Sequence, residues 1–122
     1  PVYNLTMNID DKFINKFIKS RGAFAEQRSF TLVKNNNGKY NVVLGYSSTN
    51  SDKATIPVEV DVTTDISEPI SFSAEYFREI LVVNKNSNNF KMEISDQGIS
   101  HISVKEDKYS IDYYLAEIQT DV

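Results

Sequence analysis

Tyr3-Asn4-Leu5-Thr6-Met7-Asn8-Ile9-Asp10-Asp11-Lys12-Phe13-Ile14-Asn15-Lys16-Phe17-Ile18 changes its hydrophobic period in the middle, and that change decides the fold. Up to Ile9 the apolar residues Tyr3, Leu5, Met7 and Ile9 alternate with polar ones, which predicts a strand with one buried face. From Asp10 the apolar positions become Phe13, Ile14, Phe17 and Ile18, the stripe of an amphipathic helix. Asp10 suits the N-cap, Asp11 suits the positive end of the helix dipole, and Gly22 is the expected stop.

The same transition recurs further along the chain. Ile70 and Phe72 open a short strand, Ser73 stands at the N-cap, and Tyr76, Phe77, Ile80 and Leu81 repeat the helical stripe. An offset of 63 residues carries Ile9, Asp10, Phe13, Ile14, Phe17 and Ile18 onto Phe72, Ser73, Tyr76, Phe77, Ile80 and Leu81. An offset of 60 carries Phe30, Leu32, Gly38, Val42 and Leu44 onto Phe90, Met92, Gly98, Ile102 and Val104. The chain therefore reads as one strand–helix–three-strand unit used twice.

Between the two transitions lie strands. Phe30 and Leu32 alternate with polar residues, and Asn37-Gly38 is a strong hairpin signal. Tyr40, Val42, Leu44 and Tyr46 follow, then a polar loop over 47–53, then Ile56, Val58, Val60 and Val62 as one alternating run. Pro57 marks that run as an edge strand, because proline has no N–H to give to a ladder. In the second unit Phe90, Met92 and Ile94, then Ile102 and Val104, then Tyr109, Ile111, Tyr113 and Leu115 supply the strands. The expected class is α+β, with two helices packed on one face of antiparallel sheets and the repeats related by a pseudo-twofold. The expected division is one domain over 1–122: repeat one at 2–62, an acidic connector at 63–68 and repeat two at 69–118.

Composition narrows the chemistry. The 122 residues contain no cysteine and one histidine, His101, which excludes disulfides, thiol catalysis and any multi-histidine metal centre. No Gly-rich phosphate loop, nucleophile elbow or His–Glu pair occurs, so no catalytic residue, metal or cofactor is expected. His101 reads as an ordinary sheet residue, and Glu59, Asp61 and Asp112 as a solvated strand face. No apolar run is long enough for a membrane helix and no signal peptide opens the chain, so an intracellular, soluble setting is expected. Pro1, in place of an initiator Met, implies a fragment boundary.

The net charge of −4 argues against nucleic acid, but its distribution does not. Lys12, Lys16, Lys19 and Arg21 fall together with no acidic residue between them, whereas Glu59, Asp61, Asp65 and Glu68 form an acidic run. The basic group is expected on one face of the first helix, as a surface for phosphates without base readout. Arg78 and Lys85, in and after the second helix, are candidates to extend it.

Taken in order, these elements resemble the DNA sliding clamps, the polymerase processivity factors. The likeness is closest to the C-terminal domain of T-even-type phage clamps. It rests on Ile18-Lys19-Ser20-Arg21-Gly22, the run Phe72 to Leu81, the hairpin at Gly98 and the final strand Tyr113-Tyr114-Leu115-Ala116-Glu117-Ile118. The Tyr-Leu-Ala end is similar to that of cellular clamps, which continue Pro-Lys where this chain has Glu117. The resemblance implies a DNA clamp fold and a longer protomer of which this is the second domain. It also implies assembly of three protomers into a ring around duplex DNA, with a DNA polymerase and a clamp loader as partners, in the cytoplasm of a host cell. It further implies an outer pocket for partner peptides at Tyr114, Leu115 and Ala116, to which nearness to the connector adds Val62, Ile66, Pro69 and Ile118. The competing expectation is a phage structural or interaction module that assembles edge to edge and never contacts DNA.

Overall fold

A computed structural model describes residues 2–46 and 52–119. The chain forms nine strands and two helices among these residues. They run β1 (Leu5–Asn8), α1 (Asp11–Ala23), β2 (Ser29–Lys34), β3 (Tyr40–Leu44), β4 (Ala54–Val58), β5 (Val60–Val62), β6 (Ile70–Ser73), α2 (Ala74–Val83), β7 (Asn89–Ser95), β8 (Ile99–Lys105) and β9 (Ser110–Ala116). The strands make two antiparallel sheets, ordered β4-β3-β2-β6 and β5-β1-β7-β8-β9. The architecture is α+β, as the periods predict.

The strand orders carry the internal repeat. Exchanging each strand of the first unit for its counterpart in the second turns β4-β3-β2-β6 into β9-β8-β7-β1, which is the other sheet without β5. Each unit thus lends its opening strand to the sheet of the other. Leu5 and Met7 of β1 pair with Ile94 and Met92 of β7, and Ile70 and Phe72 of β6 pair with Leu32 and Phe30 of β2.

Both helices start where the sequence places them. Asp10 accepts a hydrogen bond from the Phe13 N–H at 2.8 Å, and Ser73 accepts one from the Tyr76 N–H at 3.2 Å. Each cap satisfies an otherwise orphaned donor and contributes about 1 kcal/mol. The expected stop at Gly22 is corrected: α1 runs to Ala23, with Phe24 at the C-cap. Gly22 does not take a positive φ, so it does not act as a left-handed terminator.

The helix stripes meet the two sheets in one hydrophobic cluster. Phe17 of α1 lies edge-on to Phe77 of α2 at 5.0 Å, and Phe77 stacks on Phe30 of β2 at 4.7 Å. Phe30 in turn meets Phe72 of β6 at 6.0 Å. Such ring pairs add about 0.5–1.5 kcal/mol each beyond area burial, so the two repeats stabilise one another. One member of the expected stripe departs from it: Tyr76 is 61% exposed, whereas its counterpart Phe13 is 7% exposed.

The run expected from Ile56 to Val62 is two strands rather than one. β4 pairs with β3, and β5 pairs with β1 in the other sheet, so the chain changes sheet at Glu59. β3 ends at Leu44, short of Tyr46, because Gly45 adopts φ +81° and a side chain there would sit 2.9 Å from the Asp52 carbonyl. The loop expected over 47–53 lies mostly outside the described residues.

The connector is fastened to the sheet. Tyr40 donates from Oη to Asp65 Oδ1 at 2.7 Å, and the Ile66 N–H donates back to Tyr40 Oη at 3.3 Å. Lys34 reaches Asp65 Oδ2 at 3.1 Å. Burial and the neighbouring carboxylate push the Tyr40 hydroxyl up to about 12. The hydrogen bonds from Tyr40 and Lys34 hold the Asp65 carboxyl below its ordinary value.

Candidate functional site

Helix α1 turns its lysines outward. Phe13, Ile14 and Phe17 are buried, while Lys12, Lys16 and Lys19 are exposed. At 3.6 residues per turn these three fall within about 60° of one another, opposite the buried stripe. No carboxylate pairs with any of them among the described residues.

Arg21 does not belong to that face, which corrects the fourfold grouping expected from the sequence. It stands about two and a half turns after Lys12, on the opposite side of the helix. Its Nη1 donates to the carbonyls of Phe24 at 3.3 Å and Ala25 at 2.7 Å. The guanidinium is therefore spent on the backbone that follows α1, where a cation also complements the helix dipole.

Helix α2 carries a different set of outer residues. Glu75, Glu79 and Val82 occupy the positions that Lys12, Lys16 and Lys19 hold in α1, 63 residues earlier. Arg78 is exposed between the two glutamates in sequence, and Lys85 lies exposed beyond the helix end at Val83. Asn84 closes α2, its Nδ2 donating to the Ile80 carbonyl at 2.9 Å and to Tyr113 Oη at 3.1 Å.

The seven residues expected to form one pocket are dispersed. Tyr114 and Leu115 line a groove of about 440 Å³ between α2 and β9, together with Tyr76, Glu79, Val83 and Tyr113. Leu115 is 8% exposed and belongs to the core, while Tyr114 is 61% exposed. Ala116, the last residue of β9, is exposed. Val62 lies on β5, four strands from β9 and hence about 19 Å away. It lines a different groove, of about 1040 Å³, beside Lys12 and Lys16. Ile66 is buried under Tyr40, and Pro69 is exposed just ahead of β6. The Ile118 N–H donates to the Ser71 carbonyl at 2.9 Å, which ties the end of the chain to β6 rather than to the connector.

A cluster that the sequence reading passed over lies on the outer face of the five-stranded sheet. His101 of β8 places Nδ1 2.8 Å from Glu93 Oε1 on β7 and Nε2 2.7 Å from Asp112 Oδ1 on β9. Its ring stacks on Tyr114 at 4.8 Å and meets Tyr3 at 6.1 Å. Partial burial alone would lower the imidazole pKa, but the two carboxylates outweigh it and hold it above 6.5. The carboxylates sit on opposite ring nitrogens, so the three side chains do not converge on one cation. Period two placed His101 on a polar face, but its partners come from two other strands whose register the sequence does not state.

No protein-family profile, curated protein or solved structure matches this chain.

Proposed function

We propose that this chain is a domain of a DNA sliding clamp: a non-enzymatic processivity factor that surrounds duplex DNA as part of a ring and tethers a DNA polymerase. The observation that carries the reading is the lysine face of α1. Three cations at the centre of one exposed helix face, free of carboxylate partners among the described residues in a chain of net charge −4, suit a surface that follows phosphates. The doubled unit with exchanged opening strands supports the clamp fold in particular, since each helix is then displayed from an equivalent frame. Lysine side chains give mobile point charges, which suits sliding better than bidentate capture. By the resemblance, the clamp loader and two further protomers complete the system. The test is binding to unrelated duplex sequences. The reading expects weak, equal affinities that fall together when Lys12, Lys16 and Lys19 become alanine; a sequence preference, or no effect of the substitutions, contradicts it.

The second reading, an interaction module that assembles edge to edge without DNA, is favoured by α2. Its outward face is acidic at Glu75 and Glu79, and Tyr76, Val83 and Tyr114 leave apolar surface exposed beside β9, an edge strand. Size measurement by sedimentation separates the readings: association that needs Tyr76 and Val83 but proceeds unchanged in the triple alanine variant, with no DNA binding, favours the module.

A further inference from the structure

The His101 cluster has a property that its geometry alone dictates. A neutral imidazole has one N–H and one lone pair, so it can donate to only one carboxylate. Here both ring nitrogens lie within 2.8 Å of carboxylate oxygens. With both carboxylates ionised, only the imidazolium, with two N–H donors, satisfies both contacts.

The three bonded residues come from three adjacent strands, β7, β8 and β9. The outermost, β9, is a sheet edge whose ladder runs to β8 alone. We propose that Glu93, His101 and Asp112 form a proton-operated clasp on β9: the imidazolium ties the edge strand across β8 to β7, and loss of its proton leaves one N–H for two carboxylates, so the tie across the three strands opens. The Tyr114 ring stacks on His101 on the outer face of the sheet, whereas its neighbours Tyr113 and Leu115 turn to the inner face beside α2. Proton loss removes the cation from between two carboxylates. The inference holds whether or not the chain meets DNA.

The groups that face His101 are few. Glu93 approaches from β7, Asp112 and Tyr114 from β9, and Tyr3 from the segment ahead of β1. Asp61 of β5 shares the same cross-strand row through Thr6 and Glu93, and Lys91 lies one row away, opposite Ser103. Carboxylates outnumber the one nearby lysine, so the surroundings favour the charged ring.

Because His101 is the chain's single histidine, its ring signals in a proton–carbon NMR spectrum are unambiguous. They are followed from about pH 5 to 8, alongside hydrogen exchange of the β9 amides corrected for intrinsic rate. The clasp predicts a midpoint above 6.5, lowered by E93Q and by D112N, and β9 exchange that accelerates as the ring loses its proton. In H101Q the corrected β9 exchange is then flat across the same range. E93Q and D112N are near-isosteric changes at the sheet surface, so they carry the test if H101Q does not fold. A midpoint at or below 6.5 that neither substitution moves overturns the proposal, as does β9 exchange that ignores the titration.

Discussion

Lys16 and Glu79 hold equivalent positions, 63 residues apart, in two helices that grow from equivalent caps, and their charges are opposite. The repeat is thus conserved in its buried stripe and inverted on its outer face. If α1 alone faces phosphate, changing the sign on α2 extends the basic surface. E75K/E79K should tighten duplex binding by several-fold at low salt and make it more salt-sensitive by about one to two contacts. A filter-binding titration at two salt concentrations checks this.

Arg21 gives the opposite prediction. Its guanidinium serves the carbonyls of Phe24 and Ala25, so Arg21→Ala should cost about 1–2 kcal/mol of stability. That corresponds to a fall of several degrees in Tm for a domain of this size. Duplex affinity, measured well below Tm, should stay at the parent value. A stable variant with weakened DNA binding would return Arg21 to the phosphate surface.

Much of this fold is legible in the sequence because its elements change period at caps: alternation gives way to the helical stripe at Asp10 and again at Ser73. What is not legible is which strand neighbours which. Ile56 to Val62 keeps a continuous alternation of apolar and polar residues through β4 and β5, so the crossing between sheets at Glu59 leaves no mark on the pattern. Nearness to the connector groups Val62 with Tyr114, although three strands, β1, β7 and β8, lie between β5 and β9. The site was legible only in part. Lysine spacing along one helix is a local property, whereas the partners of His101 and the commitment of Arg21 depend on chain brought in from elsewhere. Tyr76 matched Phe13 by position, yet α1 packs on β4 whereas Tyr76 borders the open groove at β9.

The groove between α2 and β9 separates core residues from surface ones. Leu115→Ala should destabilise the domain by about 2–4 kcal/mol, since it truncates a side chain in the core cluster. Val83→Ser, at a position 74% exposed, should change stability by no more than about 0.5 kcal/mol. Chemical denaturation of both variants checks this contrast. If the groove receives a partner, Val83→Ser is the change that weakens association without unfolding.

The connector should respond to pH with a defined sign. Asp65 has its folded pKa lowered, so its contribution is present above the ordinary carboxylate value of 3.8 and lost as pH falls through the folded value. Tyr40→Phe removes the hydroxyl that donates to it. Thermal melts should therefore show the parent more stable than Tyr40→Phe near neutrality, with the gap narrowing in acid. His101 has the reverse sign: its pKa is raised, so its stabilisation is complete below 6.5 and is lost as pH rises through the folded value. In H101Q that loss on the alkaline side should be absent.

The lysine face is tested most directly by the salt dependence of duplex binding, measured for the parent and for K12A/K16A/K19A. Each phosphate neutralised on duplex DNA contributes about −0.9 to the slope of log affinity against log salt. Three lysines acting together predict a parental slope of about −2 to −3, and a slope close to zero in the triple variant. Exposed lysines without partners hold little folding energy, so the variant's Tm should match the parent's. A triple variant that keeps the parental slope, or a parent that binds no duplex at low salt, would contradict the account.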